Sequence, residues 1–183
     1  MRLRLLLILL LSFGTVCSNA QQFSVSTNML DYLALGTINA DFSYAFSRHW
    51  SAMIGARYNP FTYGEGDGQL QYRQQSYSVG VRMWPWHILS GWWFASKIRY
   101  QEYNTGGIIS SQTQEGDRFG IGLYSGYTHM LSHRFNLEFG IGFWGGLDKY
   151  TRYSCPRCGI RNDEGSGTFI LPDDWVISLV YVF

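Results

Sequence analysis

The residues best spaced to do chemistry are two cysteines, Cys155 and Cys158, in the run YSCPRCGIRN. A C-x-x-C-G turn can present two thiolates to a metal, act as a redox pair, or close as a small disulfide. A structural zinc takes four ligands, and the chain has no second knuckle to supply the other two. Metal binding through this turn would need two chains sharing knuckles. A redox C-x-x-C opens a helix, whereas here a polar, glycine-rich GIRNDEGSG follows. The expectation is a Cys155–Cys158 disulfide that stiffens a loop, worth about 2 kcal/mol for so short a ring. No metal and no cofactor are expected.

A second chemistry to weigh is nucleophilic catalysis, which needs Ser, His and a carboxylate together. Ser110, Ser111 and Ser154 lie in polar segments with Glu65, Asp67, Glu115, Asp117, Asp163 and Glu164 nearby, but without a histidine. The four histidines, His49, His87, His129 and His133, fall in or beside short turns that belong to the opposite end of the fold. A non-catalytic protein is expected. The third set is a group of isolated charges in otherwise apolar runs: Asp41 and Glu138 against Arg57, Arg82, Lys97, Arg99 and Arg118. Charges so placed must pair or meet water.

What positions them is a period of two. In INADFSYAF, Ile38, Ala40, Phe42, Tyr44 and Phe46 share one face, and Asn39, Asp41, Ser43 and Ala45 the other. The same alternation runs through WSAMIGARY, YSVGVRM, WWFASKIRY, RFGIGLYSGY, FNLEFGIGF and WVISLVYVF, and more weakly through FSVSTNML. Eight strands follow. One face is large and aromatic; the other is small or polar and carries the charges. That division fits an all-β, eight-stranded antiparallel up-and-down transmembrane β-barrel of outer-membrane type, with lipid outside and a narrow lumen inside. Trp50, Trp92, Phe135 and Phe183 are expected at one membrane interface, and Tyr58, Tyr100 and Trp175 at the other. The turns SRH and LSHR are short, and PWHILSG is moderate in length. Asn59 to Gln69, Gln101 to Asp117 and Gly145 to Pro172 read as long outer loops. Phe61, Tyr63, Tyr103, Tyr150, Tyr153 and Ile160 in those loops suit a recognition surface. A soluble two-sheet sandwich is the competing architecture.

The first twenty residues, MRLRLLLILLLSFGTVCSNA, carry Arg2 and Arg4, an apolar run and small residues at a cleavage site, as in a secretory signal peptide. Residues 21–183 then form a single domain. The chain holds 14 basic and 13 acidic residues; without Arg2 and Arg4 the balance is 12 to 13, a net charge of −1. That argues against a nucleic-acid partner, which calls for a basic stripe. The terminal Phe183 after alternating apolar residues resembles the strand by which outer-membrane barrels engage their assembly machinery.

The runs VSTNMLDYLALGTINADFSYAFSRHWSAMIGARYNPF, VRMWPW, MLSHRFNLEFGIGFWGGLDKYTRYSCPRCG and ISLVYVF together resemble a Bacteroidota family, domain of unknown function 3575. Its most specific parts here are the opening from Thr27 to Tyr32, the R-x-N-P at Arg57 to Pro60, and the C-x-x-C-G at Cys155 to Gly159. The resemblance implies a small cell-envelope barrel in the outer membrane of a Gram-negative bacterium, and brings no established activity or catalytic residues.

The functional expectation is therefore a structural or loop-presenting envelope protein. Its partners would be the lipid bilayer, the barrel assembly machinery, and a surface protein or polysaccharide. The alternatives are a conduit for ions or small solutes, and a soluble periplasmic β-sandwich binding module. Eight strands leave a lumen just wide enough for side chains, so an ionic plug built on Asp41 and Glu138 is expected instead of a pore.

Overall fold

A computed structural model describes residues 22–64, 69–106, 112–155 and 160–183, without the side chains of Asp173 and Asp174. The segment expected to be a signal peptide lies outside these residues. The elements in order are β1 (Phe23–Asn28), α1 (Met29–Leu33), β2 (Ile38–Ala45), β3 (Trp50–Asn59), β4 (Thr62–Tyr63), β5 (Leu70–Met83), β6 (Gly91–Gly106), β7 (Thr113–Met130), β8 (Phe135–Tyr153) and β9 (Arg161–Val182).

Every strand pairs antiparallel with its neighbours. β1 meets β9, and β3 meets β5 directly. The ring β1–β2–β3–β5–β6–β7–β8–β9 is thus a closed eight-stranded antiparallel barrel, and β4 is a two-residue outgrowth paired with β5. One sheet closed on itself replaces the alternative of two stacked sheets, and the seam pairs Ser24–Asn28 of β1 with Ser178–Val182 of β9. Among the described residues no helix is long and apolar enough to cross a membrane.

Strand length grows around the ring, from 6 residues in β1 through 8 and 10 in β2 and β3 to 14, 16, 18, 19 and 22 in β5 to β9. The cylinder is cut obliquely: the β1–β3 wall is low and the β5–β9 wall is tall. This corrects the expected long loops at 101–117 and 145–172. Most of those residues continue the strands, because a hairpin ladder satisfies its own backbone donors and acceptors whether or not a face is buried. The second correction is α1, which interrupts the expected first strand. Asn28 caps it by accepting from the Leu30 amide at 3.3 Å.

Polarity is inverted relative to a water-soluble domain. Large apolar side chains of the central strand segments are exposed, Ile54 at 58 %, Ile121 at 58 % and Leu123 at 68 % among them. The buried set is rich in Ser, Asn, Thr, Arg and Lys. Among the described residues, the buried apolar cluster lies at the short-turn end, where Met53, Trp84, Leu89, Trp93, Val180 and Val182 pack together. The 84–90 turn supplies it: Trp84 and Leu89 fold inward, tied by Trp84 Nε1 to Ser51 Oγ at 3.3 Å and by Asn136 Nδ2 to the Leu89 carbonyl at 3.0 Å.

Candidate functional site in the barrel lumen

Inward side chains are the only groups the strands gather from all sides, so the lumen is where chemistry-bearing residues converge. It is stacked in tiers above the Trp84 cluster. In the first tier, Arg82 of β5 reaches Glu138 of β8, Nη1 to Oε1 at 2.8 Å, and Thr128 donates to the same oxygen at 3.0 Å. The guanidinium lies 4.3 Å from the Trp93 ring centroid and 5.4 Å from that of Trp84. Aromatic faces thus cover the parts of the cation that the carboxylate does not.

The next tier pairs Lys97 of β6 with Asp41 of β2 at 3.8 Å, with the Tyr124 ring 5.0 Å from Nζ. Glycines make room for these inward groups. A Cβ on Gly142 would overlap the Tyr124 ring, and one on Gly126 or Gly140 would press on Trp93. The space between Trp84 and Arg57 is nearly filled. Among the described residues, two cavities there measure about 20 and 10 Å³, each room for about one water.

Above them the lumen opens into a cup of about 340 Å³ in its outer half. Arg57 enters from β3, Arg99 from β6 and Arg118 from β7, with Asp31 from α1. Arg57 Nε meets Asp31 Oδ2 at 3.0 Å. Arg118 meets Asp148 at 3.3 Å and stacks on Tyr103 at 3.9 Å, whose hydroxyl donates to Asp148 at 2.8 Å. Arg99 lies 5.1 Å from the Trp144 ring. Gln101 Nε2 donates to Gln74 Oε1 at 2.6 Å across the wall.

All seven charged residues singled out in the sequence, Asp41, Arg57, Arg82, Lys97, Arg99, Arg118 and Glu138, point into this lumen. Two of the carboxylates that pair with them, Asp31 and Asp148, were not foreseen. The first sits in α1 and the second in a stretch read as loop. Tyr103 is a further correction: it is 5 % exposed and faces the lumen, so it is no part of an outer recognition surface. Phe61 and Tyr63 pack on each other, with ring centroids 6.3 Å apart. Tyr63 also donates to the Leu35 carbonyl at 3.3 Å. Tyr153 donates to Glu115 Oε1 at 2.5 Å, which holds its hydroxyl above the usual phenol range.

The aromatics assigned to the two interfaces, Trp50, Tyr58, Trp92, Tyr100, Phe135, Trp175 and Phe183, are all exposed. Trp50 and Phe135 open β3 and β8 at the short-turn end, Trp92 is the second residue of β6, and Phe183 follows β9 there. The four histidines lie at this same end, far along the strands from Cys155, which follows β8 at the opposite end. Cys158 lies outside the described residues, and so does its pairing with Cys155. Ser110, Ser111, Glu65 and Asp67 also lie outside them.

The low wall is locked to α1 by amides. Asn39 Nδ2 donates to the Asn28 carbonyl at 2.9 Å, and the Asn28 amide donates back to Asn39 Oδ1 at 2.6 Å. Asn59 Nδ2 donates to the Leu35 carbonyl at 3.0 Å and to Thr37 Oγ1 at 2.9 Å. These bonds hold Leu35 and Gly36, both at positive φ, a strained turn for leucine. The Thr27–Tyr32 and Arg57–Pro60 motifs therefore meet at one place, the rim of the cup.

A closed eight-stranded barrel with a charged, mostly filled interior and an apolar exterior is the class that fold and site define. Within it, the chain belongs to the family described as Protein of unknown function (DUF3575), whose model matches residues 5–183. Comparison with curated proteins finds no match.

Proposed function

We propose that this protein is a non-catalytic β-barrel of the outer membrane of a Gram-negative bacterium. Residues 1–20 act as its export signal, and the barrel assembly machinery inserts it. The short turns face the periplasm. The tall β5–β9 wall stands outward, toward a surface protein or polysaccharide, with Cys155 and Cys158 closing a disulfide near the tip of its longest hairpin.

The observation that carries this reading is the inverted polarity. Soluble monomers expose apolar patches of roughly 300–600 Å² at most, whereas here large apolar side chains face outward from every strand of the ring. A bilayer is the solvent in which that surface is stable. A transmembrane strand needs about 9–11 residues, and β6 to β9 hold 16 to 22. The excess supports an outer wall standing clear of the membrane.

Against a conduit stands the packing between Trp84 and Arg57, which leaves room for single waters only. Fractionation followed by gel migration with and without boiling tests the proposal. The expected result is recovery with outer membranes and a faster-running unboiled band. A folded protein that stays in solution without detergent or lipid would overturn it.

A further inference from the structure

β9 is the longest strand, at 22 residues, and its two neighbours cover it unequally. β8 pairs with it from Arg161 to Tyr181. β1 pairs with it only from Ser178 to Val182, because the chain leaves β1 at Asn28 to enter α1. Asn28 then serves as a last rung. Its side chain accepts from the Ile177 amide at 3.1 Å and donates to the Trp175 carbonyl at 3.0 Å. Beyond that rung, from Asp174 back to Arg161, no described strand pairs with this side of β9. The other flank of the low wall is finished by β4, which pairs with β5 at Leu70 and Gln71. Among the described residues a strand edge therefore stands open above the place of β1, at the end opposite the short turns.

Open edges invite pairing, and proteins blunt them with charge and proline. Here only the ends of the edge are blunted, by Arg161, Asp163 and Glu164 at one and Pro172 at the other. Between them Gly165 to Leu171, GSGTFIL, carries neither. Ser166, Thr168 and Ile170 of this stretch are exposed, Ile170 at 81 %. Phe169 anchors it, its ring centroid 4.6 Å from that of Trp144. A row of backbone N–H and C=O groups is matched by another extended polypeptide; a sugar chain has no such alternating row. A second copy in the same membrane stands in the same sense, so its β9 could meet this edge only in parallel, the less stable pairing. We infer that the edge from Gly165 to Leu171 binds an extended segment of another protein by antiparallel strand addition, continuing the β1–β9 seam outward. This rests on the reading of an outward-standing wall and selects protein over polysaccharide as its partner.

The probe is a synthetic peptide copying Phe143 to Tyr153 of β8, a sequence that already pairs antiparallel with this stretch of β9. Its binding to the purified, folded protein in detergent is followed by fluorescence anisotropy, and saturation is expected. Pairing through one edge uses every second amide of the incoming strand. Of two peptides N-methylated on alternate residues, one is therefore expected to bind about tenfold or more weakly and the other to keep its affinity. Ile170→Lys sets a charge on the edge and is expected to weaken binding by about tenfold. Gel migration without boiling shows that this variant is folded, and the methylated pair decides the matter if it is not. No saturable binding, equal affinity for the two methylated peptides, or unchanged affinity in folded Ile170→Lys overturns the inference. Fractionation is read independently: a barrel that reaches the outer membrane and binds no strand defeats this inference alone.

Discussion

Arg82 on β5 and Glu138 on β8 meet across the lumen at 2.8 Å, with both side chains nearly inaccessible to water. Strands three apart in the ring are thus tied by one ion pair, directly above the apolar cluster that closes the barrel's short-turn end. Both charges are withdrawn from water, so the pair matters mainly for what happens when one half is removed.

Glu138→Ala is expected to destabilise the barrel by about 3–5 kcal/mol, because Arg82 is left charged and uncompensated. Arg82→Met combined with Glu138→Met is expected to recover most of that loss. Urea unfolding of the two variants measures it. Equal loss in the single and double variants would show that packing, and not charge, governs this tier.

Leu123 is 68 % exposed on β7. In water, Leu123→Arg would shift stability by no more than about 0.5 kcal/mol. Facing the bilayer midplane it costs about 2–4 kcal/mol. Unfolding from lipid vesicles is expected to show the larger figure, and a negligible change would contradict the membrane placement.

Gly142→Val places a branched side chain where the Tyr124 ring lies. Overpacking of this kind costs about 1–3 kcal/mol. Adding Tyr124→Ala to Gly142→Val is expected to relieve part of the penalty in the same denaturation measurement. A full, additive loss would mean the two side chains do not collide.

Asn59→Ala removes the donor shared by the Leu35 carbonyl and Thr37 Oγ1, and the acceptor of the Phe61 amide at 2.9 Å. Hydrogen exchange is expected to accelerate at Gly36, Thr37 and Phe61, while β7 and β8 keep their protection. Global stability should fall by about 1–3 kcal/mol. Unchanged exchange around α1 would show that this amide is not what holds the helix on the rim.

Cys155 and Cys158 are expected to resist maleimide until reduced. Replacing both with serine should lower stability by about 2 kcal/mol and open the hairpin tip to protease. Immediate labelling of unreduced protein would exclude the disulfide.

How much of this was legible in the sequence depends on contrast between faces. Ile38–Ala45, Trp50–Asn59 and the lower halves of β6 to β9 alternate because one face is apolar and the other lines the lumen, so strand, face and inward charge could all be read. The upper halves, such as QEYNTG and TQEGDR, are polar on both faces. They lie beyond the apolar band and carry no period-two signal, so they looked like loops. Asp148 and Tyr103 were missed for that reason. Asp31 was missed because α1, at five residues, is too short to show a helical period. The inward aromatics Trp93 and Tyr124 escaped notice because the glycines that accommodate them are on neighbouring strands, a match visible only once register is known.

The ring closes where its shortest strand meets its longest. β1, with 6 residues, is the sole partner that can complete the cylinder against β9, with 22. The joined segments come from opposite ends of the chain, whereas β5 to β9 can zip together hairpin by hairpin. Long-range closure carries the larger entropic penalty, so the β1–β9 seam is expected to close last. Six residues of β1 thus decide between a sealed tube and an open sheet with two sticky margins.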